Sequence, residues 1–225
     1  MTCTTKALSE KICDAIRDRV VSGVLPVSTP IRQDALAKEL GVSKIPLREA
    51  CARLERDGLL ISITNRGFFV PAMTAEEVEE IYALRLKLEP DAVARATKLA
   101  TDTDRQTAFA ALQTLLAADA RDRVTFGQLH LSFHLALVRP CRQKITCQLL
   151  ERLHVACLRY VNKHLEPSGR IKRAVREHNL IYQAWSEGHA KTVRSLTQEH
   201  IRLTLADLRE QLSRSSSPAK RLPVA

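Results

Sequence analysis

Four histidines in the later part of the chain have the residue type and spacing of a metal site. His130 and His134 are four residues apart, so on a helix they share a face, while His178 and His200 belong to two later helical segments. The residues three and four positions from each histidine are largely apolar, which predicts that all four imidazoles point into a helical core. Converging imidazoles can satisfy their ring nitrogens around a divalent metal ion, or each can be a core histidine bonded to a carbonyl or a neighbour.

Positively charged side chains near residue 45 have the spacing of a nucleic-acid contact. The segment 33–57 has apolar residues at helical spacing on both sides of Gly41, which predicts two short helices joined by a glycine turn. Ser43 is predicted to be the N-cap of the second helix. Its predicted inward face is Leu47, Ala50, Cys51 and Leu54. Lys44 and Arg48 lie near its N-terminal end and outer face, as in the recognition helix of a helix-turn-helix, although the same arrangement also occurs where a chain simply turns a corner.

The residues that follow predict a small wing beside that helix. Two strand-like runs, 59–64 and 68–70, flank the turn Asn65-Arg66-Gly67. An arginine at the tip of such a hairpin suits a phosphate or a narrow minor groove. The hairpin and the clustered positive charge together favour a winged helix-turn-helix over a simple corner.

Length and composition indicate a second domain. The chain has 225 residues, 45% of them hydrophobic, and a net charge of +10, so it is too long for one winged helix and its charge suits a polyanionic partner. From Thr74, which forms a predicted capping box with Glu77, the pattern is helical to about residue 213. We therefore predict a mainly α protein: a winged helix-turn-helix domain over 1–72, an antiparallel all-helical bundle of about six helices over 73–213, and a disordered tail over 214–225.

No segment predicts export or insertion into a membrane. Charged residues interrupt any apolar run near the N-terminus, and no apolar stretch approaches the length of a membrane span. We expect a cytoplasmic protein that makes no membrane contact.

The first segment resembles the N-terminal domain of the GntR family of transcription regulators. The matching residues are Leu36-Ala37, Gly41-Val42-Ser43-Lys44, Pro46-Leu47-Arg48-Glu49-Ala50, the stretch from Leu54 to Leu59, and Asn65-Arg66-Gly67. The resemblance implies a homodimer that binds a double-stranded DNA operator with inverted-repeat symmetry. The implied DNA-binding residues are Arg32, Ser43, Lys44, Arg48, Arg66 and Gly67. Lys44 stands where the family usually has arginine, and Asp34 stands where some members have one, so the preferred DNA sequence is expected to differ.

Residues 75–213 resemble the FCD-type effector domain of the FadR branch of that family. The matching residues are Arg85, Leu88-Glu89, Phe133-His134, His178 and His200. The resemblance implies a small carboxylate effector and a metal ion held by an aspartate and three histidines, and the aspartate's position is His130 here. The ligand set would be His130, His134, His178 and His200, and all-nitrogen ligation favours zinc first, with nickel, cobalt or copper as further candidates.

Arg85 is the residue that this resemblance assigns to the effector. Its guanidinium would reach inward and hold a carboxylate in two parallel hydrogen bonds. The alternative is an ordinary ion pair with Glu89, one helical turn away.

The predicted function is a ligand-responsive transcription factor in which the bound carboxylate changes DNA affinity. One alternative is a metal-dependent enzyme, which needs a general base beside the metal. Glu177 and Glu199 each adjoin a histidine and therefore point about 100° away from it around the helix. The other alternative is an architectural DNA binder that takes no ligand.

Overall fold

The first part of the chain folds as a helical unit with a two-stranded hairpin. The computed structural model describes residues 2–72, 74–119, 121–165 and 169–215. The described residues divide into two compact units, of which the first ends at Ala72. Its elements are α1 (Thr2–Val21), α2 (Gln33–Glu39), α3 (Lys44–Arg56), β1 (Ile61–Ile63) and β2 (Gly67–Phe69). The strands are antiparallel, with Ser62 opposite Phe68, so the predicted wing is present.

Buried side chains on α3 hold this unit together. Helix α3 packs against both α1 and α2. The predicted inward face is confirmed, since Leu47, Ala50, Cys51 and Leu54 are all fully buried. Facing them on α1 are Ile12, Ile16 and Val20, which are also buried. Each leucine or isoleucine removed from water contributes about 1.5–3 kcal/mol, so this contact fixes the orientation of α3.

Two glycines permit the tight turns of this unit. Gly41, between α2 and α3, has a φ of +66°, and Gly67, at the wing, has a φ of +86°. Backbone in this left-handed region is strained for residues with a Cβ atom but not for glycine. Asn65 also adopts a positive φ, of 59°, which asparagine tolerates better than most residues. These turns place α3 and the hairpin tip within one unit.

The second unit is a helical bundle. Within the described residues from 74 onward the α-helices are α4 (Ala75–Leu99), α5 (Asp102–Ala117), α6 (Arg123–Val138), α7 (Lys144–Leu165), α8 (Arg170–Ser186) and α9 (Ala190–Ser215), with a short 3-10 helix at Arg139–Cys141. The predicted mainly α fold of about six bundle helices is thereby confirmed. Helix α9 continues two residues beyond the predicted end of the bundle. Residues 216–225 of the predicted tail lie outside the described residues.

Helix α4 is the central element of the bundle. It packs against α6, α7, α8 and α9. The largest fully buried side chains of this core include Tyr82, Phe133, Tyr160 and Trp185. Because α4 is surrounded on several sides, polar residues on its inner face must find partners inside the protein. Nowhere in the described part of the chain is there a helix of the length and hydropathy needed to cross a membrane.

The capping box predicted at the start of α4 is only half formed, whereas a complete one is found at the start of α5. Thr74 Oγ1 accepts from the Glu77 backbone N–H at 3.1 Å, but the predicted reciprocal half of that capping box is absent from the hydrogen bonds of these described residues. The reason is that the Glu77 carboxylate accepts from the Tyr160 hydroxyl instead. A complete capping box forms at α5, where Thr101 Oγ1 accepts from the Asp104 N–H and the Asp104 carboxylate accepts from the Thr101 N–H.

Replacing the cap of α5 should destabilise the bundle. We expect Thr101→Ala to lower the free energy of unfolding by about 1 kcal/mol, because the first turn loses its side-chain acceptor. Urea unfolding followed by the fluorescence of Trp185, the single tryptophan, measures it in the full chain. Thr107→Ala is the control on the same helix, since the exposed Thr107 hydroxyl only donates to a carbonyl of its own helix. Equal losses in the two variants would contradict the cap assignment.

Candidate DNA interface and metal centre

The outward side of α3 carries the predicted DNA-contacting residues. Ser43, Lys44 and Arg48 are exposed, opposite the buried stripe of the helix. Ser43 occupies the N-cap position as predicted, but its hydroxyl makes no capping hydrogen bond. That prediction of a side-chain cap was therefore wrong, and the hydroxyl stays available to a phosphate. Arg32, at the N-cap position of α2, is also exposed.

Lys44 forms an ion pair with Asp34 that the sequence analysis did not predict. Lys44 Nζ lies 2.7 Å from Asp34 Oδ1, and the two side chains are 71% and 75% exposed. Such a pair in water contributes little to stability. At the predicted DNA contact of Lys44, the Asp34 carboxylate would compete with phosphates and guanines for the ammonium group.

The wing presents an arginine at its tip. Arg66 is exposed, and its guanidinium lies 5.7 Å from the centre of the Phe69 ring. Gly67 is half-buried beside it, and a Cβ atom there would meet Gln33 Nε2 at 3.5 Å. The stacking on Phe69 restrains a long side chain that is otherwise in water, so the tip holds a partly ordered positive charge.

The four predicted metal ligands converge in the bundle core. His130 and His134 come from α6, His178 from α8 and His200 from α9, and all four are buried. Each offers a ring nitrogen, and these atoms all lie within 4.8 Å of one another. Neighbouring ring centres are 4.4 to 5.4 Å apart. The Nε2 atoms of His130 and His134 are 3.2 Å apart, close to the separation of about 3.4 Å between ligands of a tetrahedral zinc ion.

Two carboxylates orient these imidazoles from outside. Glu177 Oε2 lies 2.7 Å from His200 Nδ1, and Glu89 Oε1 lies 3.4 Å from His134 Nδ1. A carboxylate on one ring nitrogen keeps the proton there and leaves the other nitrogen free to bind a metal. Glu177 was considered in the sequence analysis only as a possible general base, but it contacts the side of His200 that faces away from the centre.

Burial keeps the imidazoles of His130, His134 and His154 neutral. It lowers the pKa of His130 well below its usual range and lowers the pKa of His134 to about 3, although Glu89 partly opposes the second shift. Burial also lowers the pKa of His154. Neutral imidazole is the form that coordinates metal, so these residues need not lose a proton when a metal ion binds.

Arg85 is buried, as predicted, but two nitrogens of its guanidinium group already donate hydrogen bonds to the Glu89 carboxylate. Arg85 is 2% exposed, and its Nε donates to Glu89 Oε2 at 2.8 Å while Nη2 donates to Oε1 at 3.4 Å. Burial by itself would raise the pKa of Glu89, but Arg85 and His154 hold it well below its usual range, so the carboxylate is ionised. The Arg85 guanidinium also lies 5.0 Å from the centre of the Tyr82 ring.

His154 is a member of this cluster that the sequence analysis missed. It lies on α7, is 3% exposed, and places Nε2 3.1 Å from Glu89 Oε1. The signal was available, because Leu150 and Cys157 flank it at helical spacing. Glu89, His134 and His154 are themselves close enough to hold a metal ion. The adjacent Arg85 cation opposes a second metal there, so we assign Glu89 and His154 to the support of His134.

The fold and these two sites define a transcription regulator with a DNA-binding unit and a helical effector unit. Residues 8–70 match the "Bacterial regulatory proteins, gntR family" and residues 80–203 match the "FCD domain". The chain therefore belongs to the gntR family, in its branch with an FCD effector domain.

Relatives of this chain share that class. It is 30% identical over 172 residues, 75% of this chain and 76% of the relative, to the uncharacterized HTH-type transcriptional regulator YdhC of Bacillus subtilis strain 168. It is 26% identical over 216 residues to the HTH-type transcriptional regulator McbR of Escherichia coli K12, covering 92% and 96% of the two chains. The solved structure of E. coli McbR/YncC superimposes with a TM-score of 0.77 at 23% identity, over 91% of this chain and 98% of that one. These proteins are regulators, so the predicted absence of enzymatic activity is supported and the metal-dependent enzyme is set aside.

Removing the Asp34 charge should strengthen general DNA binding. We expect Asp34→Asn to bind a duplex of arbitrary sequence more tightly, with a slope of log affinity against log salt steeper by about 0.9, as for one further phosphate contact. Fluorescence anisotropy over a salt series measures both quantities in the full chain. Asp14→Asn makes the same charge change at an exposed ion pair on α1. Identical slopes in the two variants would show that Asp34 does not restrain Lys44.

Proposed function

We propose that this protein is a metabolite-responsive transcription regulator with a metal-containing effector site. In this proposal a homodimer places two copies of α3 and the wing on the half-sites of an inverted-repeat operator. The DNA contacts would come from Arg32, Ser43, Lys44, Arg48, Arg66 and Gly67. A small carboxylate bound in the bundle would change the affinity for that operator by no more than its differential affinity for the two arrangements of the protein.

The observation that carries the proposal is the convergence of His130, His134, His178 and His200 in a dry core. Their nitrogens are close enough to share one ion, and at least His130 and His134 are neutral. Four imidazoles leave a divalent ion with its full charge of +2, whereas a site with one aspartate would leave +1. Nitrogen ligation favours zinc, nickel, cobalt or copper, and zinc suits a tetrahedral set best. The uncompensated charge favours an anionic effector.

Arg85 remains our candidate for a second contact to that effector. Two of its nitrogens are used by Glu89, whereas the hydrogen bond of Nη1 within the described residues goes to the Cys157 thiol, at 3.7 Å. A thiol is a weak acceptor, so this nitrogen has hydrogen-bonding capacity to give to a carboxylate. Such a contact would use Nη1 and leave the Arg85–Glu89 pair in place.

Metal content tests the centre directly. We expect protein purified without an affinity tag to hold about one equivalent of zinc after equilibration, and His134→Ala to lose it because the set falls to three nitrogens. His189→Ala is the control, since His189 is 60% exposed and outside the cluster. Glu177→Gln should weaken zinc affinity about 10–100-fold by loosening His200. Inductively coupled plasma mass spectrometry measures the zinc content, and competition with a chelating dye measures the zinc affinity. A parent protein that binds no zinc at a saturating zinc concentration would contradict the proposal.

Effector binding tests the regulatory part and separates it from the ligand-free architectural alternative. We expect some members of a small-acid library to raise the melting temperature of the zinc-loaded protein, and to do so less for metal-free protein and for Arg85→Lys. The same acids should change DNA affinity, measured on duplexes that the protein selects from a random library. Stabilisation that leaves DNA affinity unchanged, or no stabilisation by any acid, would favour the architectural alternative.

A further inference from the structure

One apolar side chain occupies the middle of the outward face of α3. Ile45 is 73% exposed. At about 100° per residue, Leu54, nine positions further on, lies half a turn away from it around the helix. Since Leu54 belongs to the buried stripe, Ile45 is at the centre of the opposite face. It is the second residue of the helix, at the end that enters a major groove in helix-turn-helix proteins.

Charged groups surround Ile45 on that face. Lys44 precedes it, Arg48 follows one turn later, and Arg56 lies further along the same side, all exposed. Glu49 is exposed there too, but the cations outnumber it. A hydrophobic protein partner would have to desolvate these charges, whereas a nucleic acid would pair with them. The occupant that matches both features is therefore DNA, with an apolar group in reach of Ile45.

Thymine supplies that apolar group. In the major groove its C5 methyl is the one hydrocarbon group that a base pair displays, and aliphatic side chains contact it directly. Isoleucine is suited to such a contact because its branched side chain has one strongly preferred rotamer in a helix, so little freedom is lost on packing. The neighbouring Lys44 and Arg48 can hold the helix in the groove through phosphates or guanines.

We propose that Ile45 is a specificity-determining residue that reads a thymine methyl in each operator half-site. The inference rests on the operator binding proposed above and adds a contact that is independent of the charged residues. It predicts that each preferred half-site has a thymine at one fixed position, chosen by burial of its methyl group and not by hydrogen bonds.

Uracil substitution isolates this contact. Duplexes are first selected from a random library by the full chain, and each thymine of the selected site is then replaced by uracil, which removes the methyl and keeps every hydrogen-bonding group. We expect one position per half-site at which uracil weakens binding of the parent protein about fourfold, the ratio that corresponds to burying one methyl-sized group. In Ile45→Ala the same replacement should have no effect at that position.

Ile145→Ala is the matched control. Ile145 is 75% exposed on α7, so the variant removes the same atoms from an equally exposed site in the bundle, and it should keep the full uracil effect. Arg48→Ala should bind more weakly overall but also keep that effect. If uracil weakens Ile45→Ala as much as the parent, or weakens neither, the proposal is overturned while operator binding stands. If the parent selects no sequence at all, both are overturned.

Discussion

Glu89 is the residue on which the effector unit depends. An ionised carboxylate without access to water must be paired, and here three helices supply the partners: Arg85 from α4 itself, His134 from α6 and His154 from α7. Removing such a partner leaves a buried charge uncompensated, which costs about 3–5 kcal/mol. The same carboxylate that satisfies Arg85 also contacts His134 Nδ1, while His134 Nε2 lies 3.2 Å from His130 Nε2. Stability of the core and orientation of a candidate metal ligand therefore depend on one carboxylate.

The two units use charge in opposite ways. In the DNA-binding unit the cations are exposed, and Lys44 is held only by a solvated partner, Asp34, so water and salt screen each contribution. In the bundle the histidines are buried, and burial keeps the imidazoles of His130 and His134 neutral by lowering their pKa. In the function proposed above, a +2 ion held there would exert a stronger field on an entering anion than an exposed cation could. The proposed function thus assigns recognition of a polyanion to exposed cations in the first unit and recognition of a small anion to a buried centre in the second.

Sequence reasoning succeeded where a periodic pattern carries the information. The stripe Leu47 to Leu54, the glycine turn and the six helices of the bundle follow from local spacing, and each is present in the described residues. The four histidines could be assigned to an interior because their helical neighbours are apolar. His154 has apolar neighbours as well, but its role depends on a carboxylate 65 positions earlier. Likewise, the Lys44–Asp34 pair and the Glu77–Tyr160 hydrogen bond join residues from different elements, and the second replaces a capping interaction that the local motif predicted.

The sequence by itself determined the fold class, the exposed and buried faces of α3 and the residue types available for a metal centre, because amphipathic spacing and charge are local properties of the chain. Only the tertiary structure decided which histidine nitrogens lie close together and which carboxylates contact these imidazoles. It also decided that the Arg85 guanidinium is already paired with Glu89. These arrangements depend on how separate helices pack, and a shift of one ångström between helices would make or break each contact. No pattern within a single helix specifies distances to the next.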